Sequence, residues 1–586
     1  MTAAPNRNTY YAETFVNALA KAGLQHVVIA PGSRSTPLTI AFAKHPDITA
    51  YSLLDERCVA FFALGMAMAL DQPVAILCTS GTAAANFYGA IIEAYMSRVP
   101  LLVLTADRAH EARHSGANQT IDQVKMYGDN VLWSVDMALP ENNPPAVAIR
   151  NLQTMAARAL ATANGQLEFR RKGPVHLNFP FRKPLEPIPV ETDVFPEVEN
   201  VVPEFILARR GSLLTEREGE FILNVTEQYE NGIIVIGNNR WPNKSLLLFP
   251  LSWGSSIKYP VFAEPSSNGR FTIMGENDPI ISGYDVILSD KAIAPQNIDV
   301  IIYIGDVPTS STLLTYLSGV QAKYRLRLDF NEMVWRDDAH LMSHQFQMVE
   351  LPAMPFPDRA SSAWFTQWQQ LETAYRPAME EELTKQFFDG VVPYTVLQRL
   401  KDGATVFVGN SNSIRHMDTF VPRMDKLIIV YASRGASGID GQVSTALGIA
   451  ATTHDKHITV ILGDITLYHD MNGLLAIQRA GVTATFIVVN NNGGGIFERL
   501  PIHDFEPYHT DFFLTPHGLT FAHTATLYGL EYAHVTDFET LHAALDQYLK
   551  PGISSIIEVQ TDIKTDEARR KEVIRNVQER IRAQIL

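Results

Sequence analysis

The chain has 586 residues, 46% of them hydrophobic and 19% charged, which describes a soluble globular protein too long for one core and implies about three domains. Its net charge of −15 excludes nonspecific attraction to nucleic acid or an anionic membrane surface, so anionic substrates would need local arginine clusters. No uninterrupted apolar stretch is long enough to span a bilayer, and Met1–Asn8 lacks the plan of a signal peptide. A cytoplasmic location is therefore expected, with Cys58 and Cys78 reduced and no Cys/His cluster suggesting zinc.

In chain order, Val27-Val28-Ile29-Ala30 reads as a strand broken by Pro31-Gly32, with a helix after Pro37. Val74-Ala75-Ile76-Leu77 is a second strand ending at Thr79-Ser80-Gly81-Thr82; residues 83–96 follow as one buried helix, and Leu101-Leu102-Val103-Leu104 returns as a strand. Strand, small-residue turn, helix and strand predict a parallel α/β sheet, closed by residues 173–180, with a proline-rich linker over 184–203. A second unit holds Ile233–Gly237 and Val300–Gly305, each strand ending in glycine, and residues 352–376 are expected to bridge to a third. The third unit repeats the pattern, with apolar runs at 406–409, 427–430, 458–462, 486–489 and 556–559 that predict strands covered on both faces. The charged tail 564–582 reads as an amphipathic helix with a solvated outer face. The fold class is thus α/β, three consecutive parallel-sheet domains bounded at 1–185, 205–355 and 380–586.

Two strand ends in the third unit carry the most chemistry. Gly463-Asp464-Ile465-Thr466 ends one apolar run, and Asn490-Asn491-Asn492-Gly493-Gly494-Gly495 ends the next. Asp464 and Asn491 are 27 residues apart, room for one βαβ step that places both at the carboxyl edge of a parallel sheet. Oxygen ligands there can hold a hard cation that also binds phosphate, and the small neighbours let backbone amides approach a diphosphate. The arrangement resembles the cofactor-anchoring motif of thiamine-diphosphate enzymes, departing from it at Ile465, where the common motif has its second glycine. An ordinary strand-end turn is the plain alternative.

That resemblance implies a pyruvate-decarboxylase-like architecture: a pyrimidine-binding domain, a central α/β domain and a diphosphate-binding domain. It implies thiamine diphosphate with Mg²⁺ or Mn²⁺ on Asp464, Asn491 and Gly493. Asp55-Glu56-Arg57 precedes a small-residue helix; read alone, Glu56 is a helix N-cap, whereas the resemblance makes it the carboxylate that contacts the aminopyrimidine ring. In these enzymes the two halves of the site meet across subunits, which implies a homodimer and, as is common, a homotetramer.

Arginines narrow the resemblance. Arg34 lies in Pro31-Gly32-Ser33-Arg34-Ser35, Arg108 follows Thr105-Ala106-Asp107, Arg415 follows Asn410-Ser411-Asn412-Ser413-Ile414, and Arg434 opens the string Arg434-Gly435-Ala436-Ser437-Gly438-Ile439-Asp440. Four arginine loops expected on one sheet edge suit a substrate pair with several carboxylates. With Ser115–Gln123 and Gly495-Ile496-Phe497, they resemble the 2-succinyl-5-enolpyruvyl-6-hydroxy-3-cyclohexene-1-carboxylate synthase family of menaquinone biosynthesis, whose cofactor motif tolerates a non-glycine at Ile465. The implied reaction is decarboxylation of 2-oxoglutarate and conjugate addition of the succinyl unit to isochorismate. Resemblance assigns Glu56, Gln119 and Ser33 to catalysis, and Arg34, Arg108, Asn118, Arg415 and Arg434 to substrate binding. It assigns Glu56, Ser411, Ile439, Gly463, Asp464, Ile465, Thr466, Asn491, Gly493, Gly494, Ile496, Phe497 and Leu500 to the cofactor, with Ile439 bending it into its V shape. Lys291 sits in a weaker motif, and the His503, His509 and His517 segment, rich in aromatics, reads as a lid or as a packed loop.

Rival readings are an acetolactate-synthase-type carboligase, which often carries FAD, a nicotinamide-dependent dehydrogenase, and a silent scaffold. No Gly-x-Gly-x-x-Gly opens a helix after the first strand, which counts against the dehydrogenase.

Overall fold

The computed structural model describes residues 4–167, 171–199, 215–239, 244–273, 275, 278–330, 335–348 and 359–585. The expected boundaries at 205 and 355 lie outside the described residues. Three wholly parallel sheets are present among them. The first contains β1 (His26–Ile29), β2 (Thr49–Ser52), β3 (Val74–Cys78), β4 (Leu101–Arg108), β5 (Trp133–Asp136) and β6 (Val175–Phe181), in the order β2-β1-β3-β4-β6-β5. The second contains β7 (Gly232–Ile236), β8 (Val261–Ala263), β9 (Val300–Ile304), β10 (Tyr324–Phe330) and β11 (His344–Met348), ordered β11-β10-β9-β7-β8. The third contains β12 (Ala404–Val408), β13 (Ile428–Tyr431), β14 (His457–Gly463), β15 (Thr483–Asn490), β16 (Glu531–Val535) and β17 (Ser555–Gln560), ordered β13-β12-β14-β15-β17-β16. The first and third sheets therefore share one winding. Each reverses direction beside its first strand, between β1 and β3 and between β12 and β14, where open α/β sheets receive ligands.

The chain forms two compact units. The first takes residues 1–209 with 433–457 and 469–483; the second takes 210–432, 458–468 and 484–586. In the first unit the helix Glu56–Leu70 crosses the helix Gln442–Ala450 at glycines. A Cβ on Gly65 would lie 1.9 Å from the Thr445 carbonyl oxygen, and one on Gly448 equally close to that of Phe62, so only hydrogen fits at the crossing. The central strands β3 and β6 are buried throughout, which explains their unbroken apolar runs.

Several elements differ from the sequence expectation. The helix expected over 83–96 is two, Thr82–Asn86 and Tyr88–Ser97, separated at Phe87. The start of the linker is held at the N-terminus of the first helix, Arg7–Lys21: Asn6 Nδ2 donates to the carbonyls of Glu186 and Ile188, Asn8 Nδ2 to those of Arg182 and Pro184, and Arg7 pairs with Asp193. Of the expected bridge, residues 352–358 lie outside the described residues, while Ala363–Glu382 is a helix burying Trp364, Trp368 and Tyr375. The C-terminal helix, Ile563–Ile585, is not a merely solvated element, because Val573, Val577 and Ile581 enter the core of the second unit. Its buried Arg570 also bonds Asp389, at 2.8 Å.

Candidate functional site

Within the second unit, β14 and β15 are neighbours, so their carboxyl ends bring Asp464 and the asparagine run to one edge. Asp464 is 3% exposed and opens the short helix Asp464–Asp470. Its Oδ1 accepts the Ile465 amide at 2.7 Å; its Oδ2 accepts the Gly493 amide at 3.0 Å and lies 3.1 Å from His517 Nε2. Burial raises the Asp464 pKa, and these donors oppose the rise. The three asparagines have separate tasks. Asn490 Nδ2 bonds the Leu519 carbonyl and Glu558, and Asn492 Oδ1 accepts the amides of His517 and Gly518. Asn491 Oδ1 is buried without a hydrogen-bond partner among the described residues.

An orphaned amide oxygen and a buried carboxylate at neighbouring strand ends are the donor chemistry of a hard divalent cation, so these residues fit the metal that the sequence implies. The glycines serve differently from the expectation. The Gly493 amide is taken by Asp464 and the Gly494 amide by the Leu514 carbonyl, so neither is free for phosphate. Gly493 has φ +145, and a Cβ there would lie 2.1 Å from the Leu514 oxygen, so the close-packed partner of this turn is residues 513–514. Gly463, by contrast, has no atom nearer than 4.0 Å to an added Cβ. Thr466 is buried and Ile465 half-buried. Ile496 and Phe497 are half-buried, Phe497 lying edge-on to Phe513, and Leu500 is exposed.

The helix Asn412–Phe420 follows β12 on the same sheet. Ser411 precedes it at φ +69, an unusual conformation for a residue with a Cβ, and its carbonyl accepts Arg415 Nη1 at 2.7 Å.

In the first unit the reversal between β1 and β3 gathers another set. A Cβ on Gly32 would sit 2.2 Å from that of Thr79, so the loop carrying Ser33 and Arg34 passes directly over the end of β3. Arg34 is 8% exposed; its Nη1 donates to the Phe181 carbonyl at 2.9 Å. Burial and then the neighbouring Arg108 lower the Arg34 pKa, while Asp107 opposes them. Arg108 is the last residue of β4 rather than a loop residue, and its Nη2 donates to the Asn118 carbonyl at 2.8 Å. Gln119, at φ +54, exchanges contacts with Ser80: its Nε2 donates to the Ser80 carbonyl and its carbonyl accepts the Ser80 hydroxyl. Ser33, Asn118 and Gln119 are exposed. Arg34, Arg108, Asn118 and Gln119 thus form one cationic and amide-rich group.

Glu56 is the first residue of its helix, and the N-cap is Asp55, whose carboxylate accepts the Arg57 amide at 2.9 Å. That corrects the capping alternative and leaves the half-buried Glu56 carboxylate without a hydrogen-bond partner among the described residues. Its charge contributes to the raised pKa of Cys78, after burial, which places it near the end of β3. Arg434 and Ile439 are half-buried in a loop belonging to this first unit. The expectation of four arginines on one sheet edge is therefore corrected: Arg34 and Arg108 edge the first sheet, Arg415 the third, and Arg434 lies in the segment after β13.

Residues 10–126 match the family model "Thiamine pyrophosphate enzyme, N-terminal TPP binding domain", and residues 412–559 match the corresponding C-terminal TPP binding domain. A 2-succinyl-5-enolpyruvyl-6-hydroxy-3-cyclohexene-1-carboxylate synthase of Roseiflexus sp. (strain RS-1) is 45% identical over 583 residues, 97% of this chain and 98% of the relative. The chain belongs to the 2-succinyl-5-enolpyruvyl-6-hydroxy-3-cyclohexene-1-carboxylate synthase family. Synthases so named from Roseiflexus castenholzii and Haloarcula marismortui are 46% and 40% identical, over 97% and 98% of this chain and 98% and 99% of theirs. The solved structure of benzoylformate decarboxylase from Polynucleobacter necessarius shares the fold, with a TM-score of 0.64 at 17% identity, covering 94% of this chain and 98% of that one.

In this member of the synthase family, sequence reasoning missed three residues. His517 was legible only as part of a histidine cluster; its contact with Asp464 spans 53 positions. Its companions lie elsewhere, exposed His503 beside Asp504 and buried His509 between Glu498 and Glu506. Buried Gln123 accepts the Gly81 amide through Oε1 and donates through Nε2 to Asn178 Oδ1 and the Ala106 carbonyl, anchoring the loop that carries Gln119. Glu93, a carboxylate in the apolar stretch read as one buried helix, was not singled out from the sequence. Lys291 is exposed.

Proposed function

We propose that this chain is a thiamine-diphosphate-dependent synthase that decarboxylates 2-oxoglutarate and adds the succinyl unit to isochorismate, in menaquinone biosynthesis. Membership of the synthase family over nearly the whole chain is the observation that carries this reading. Asp464 and Asn491, with the Gly493 carbonyl, would hold Mg²⁺ or Mn²⁺ through oxygen atoms, supported by the unpartnered Asn491 Oδ1. Gly463, Ile465, Thr466 and Ser411 would flank the diphosphate, with Gly494 shaping the turn. Ile439, Ile496, Phe497 and Leu500 would supply apolar walls that exclude water. Thiamine diphosphate, when bound, supplies the nucleophilic carbon and the electron sink for loss of CO₂.

The chain's own groups would do the rest. Glu56 would hold the proton exchanged with the aminopyrimidine ring; its having no hydrogen-bond partner among the described residues supports that availability. Arg34, Arg108, Arg415 and Arg434 would bind substrate carboxylates by charge-assisted hydrogen bonds, with Asn118 and Ser33 as polar contacts. Gln119 would position the reacting group, its strained backbone being held by Ser80. The active form would be a homodimer sharing its sites between subunits, pairing further into a homotetramer, in the cytoplasm. No helix among the described residues is long and apolar enough to cross a membrane.

Incubation with Mg²⁺, thiamine diphosphate, 2-oxoglutarate and isochorismate tests the reading. Isochorismate should disappear only when the other three are present with it. Consumption of pyruvate in its place, with flavin bound to the purified protein, would favour an acetolactate-synthase-type carboligase instead.

A further inference from the structure

We infer that Glu93 is a positioning residue that sets the loop Ser433–Asp440 so that Arg434 can meet a substrate carboxylate. This rests on the substrate-binding role proposed above for Arg434.

Glu93 lies on the helix Tyr88–Ser97 and is 3% exposed. Its Oε1 accepts the Ser97 hydroxyl at 2.6 Å and the Gly435 amide at 2.8 Å. Its Oε2 accepts the Ala436 amide at 2.7 Å and the Ser437 amide at 3.3 Å. Three consecutive backbone amides thus converge on one carboxylate, the geometry of a backbone anion nest filled from within the same unit. A buried carboxylate is tolerated only when its oxygens are satisfied, and here the loop itself satisfies them.

Part of the loop faces solvent, and Gln442 Nε2 donates to its Gly438 carbonyl at 2.6 Å. Ala436 and Ser437 are exposed, and Ser437 has φ +60, left-handed backbone that a serine adopts only under constraint. Close approach on the Glu93 side is enforced sterically, because a Cβ on Gly435 would lie 2.5 Å from Ser97 Oγ. Arg434 immediately precedes the first clamped amide, so the clamp fixes the direction in which its side chain leaves the backbone. A glutamine at position 93 could not replace the glutamate: its single carbonyl oxygen can serve only part of the set, and its NH₂ would face amide donors.

Glu93→Gln and Glu93→Asp, each compared with Arg434→Ala, test the inference. In the apo protein, hydrogen exchange of the peptide covering 433–440 should quicken about tenfold in Glu93→Gln, with the helix Glu56–Leu70 unchanged. In the loaded enzyme, the KM of whichever substrate responds to Arg434→Ala should rise about tenfold, with kcat altered much less. In an Arg434→Ala background, Glu93→Gln should add less than about twofold, because both changes act through one contact. Glu93→Asp keeps the charge and should recover part of both effects; if Glu93→Gln does not fold, Glu93→Asp and Ser97→Ala carry the same readouts. Unchanged exchange at 433–440, or KM effects that multiply in the double variant, would overturn the inference. If Arg434→Ala itself leaves both KM values unchanged, the binding role of Arg434 fails, whereas the exchange arm still decides whether Glu93 holds the loop.

Discussion

Asp464 Oδ2 receives the Gly493 amide at 3.0 Å and lies 3.1 Å from His517 Nε2, while Asn491, just past the end of the next strand, has a buried side-chain oxygen with no hydrogen-bond partner among the described residues. One of the two proposed ligands is therefore already held by protein donors, and the other keeps its oxygen open among the described residues. Three adjacent asparagines should separate experimentally on that basis. Asn491→Ala should weaken Mg²⁺-dependent binding of thiamine diphosphate by at least about tenfold, read by calorimetry, with little loss of apo stability. Asn490→Ala should instead lower the melting temperature of the apo protein, because Asn490 is 1% exposed and its loss removes the bonds to Glu558 Oε1 and the Leu519 carbonyl.

Glu56→Gln should reduce turnover by about a hundredfold or more while changing cofactor affinity only a few-fold. Stopped-flow or steady-state rates at saturating cofactor check this. Near-normal turnover would remove Glu56 from the chemistry.

Arg415→Ala should raise the KM of a carboxylate substrate by about tenfold or more, because a charge-assisted contact is lost. Unchanged KM values for both substrates would contradict the placement of Arg415. The same assay on Arg34→Ala should show a larger effect, since Arg34 ties its loop to the distant Phe181 carbonyl whereas Arg415 bonds the Ser411 carbonyl one turn away.

Gly448→Ala should destabilise the first unit by about 2 kcal/mol or more, because the added methyl meets the Phe62 carbonyl and the helix pair must part. Chemical denaturation measures it, and an unchanged midpoint would contradict the close crossing.

Asp470 supplies a pH test. It is buried, accepts the Ser444 amide at 2.7 Å, and burial raises its pKa to about 6. A carboxyl group with a raised folded pKa favours the fold most when protonated, so its stabilising contribution is present below about pH 4 and is lost as pH rises through about 6. Wild type should therefore lose up to about 3 kcal/mol relative to Asp470→Asn over that window, read from unfolding at several pH values. A constant difference would contradict it.

The sheets were legible because parallel strands covered on both faces leave unbroken runs such as Val74–Leu77 and Phe486–Val489. The meeting of Asp464 and Asn491 at one sheet edge was legible because two apolar runs ending in small residues one βαβ step apart leave a local signature. What distant segments do to one another was not. The Glu93 clamp and the His517 contact pair residues far apart in sequence, and neither has a spacing rule. The burial of the C-terminal helix was hidden because its apolar positions Val573, Val577 and Ile581 are sparse among charges. The grouping of the Arg434 loop with the first unit rather than the third sheet likewise depends on packing, not on order along the chain.

The most direct measurement is anomalous scattering from Mn²⁺ in crystals grown with Mn²⁺ and thiamine diphosphate. A single peak about 2.1–2.2 Å from oxygens of both Asp464 and Asn491, with diphosphate density joined to it, is the predicted result. A peak elsewhere, or diphosphate density away from this sheet edge, would contradict the account.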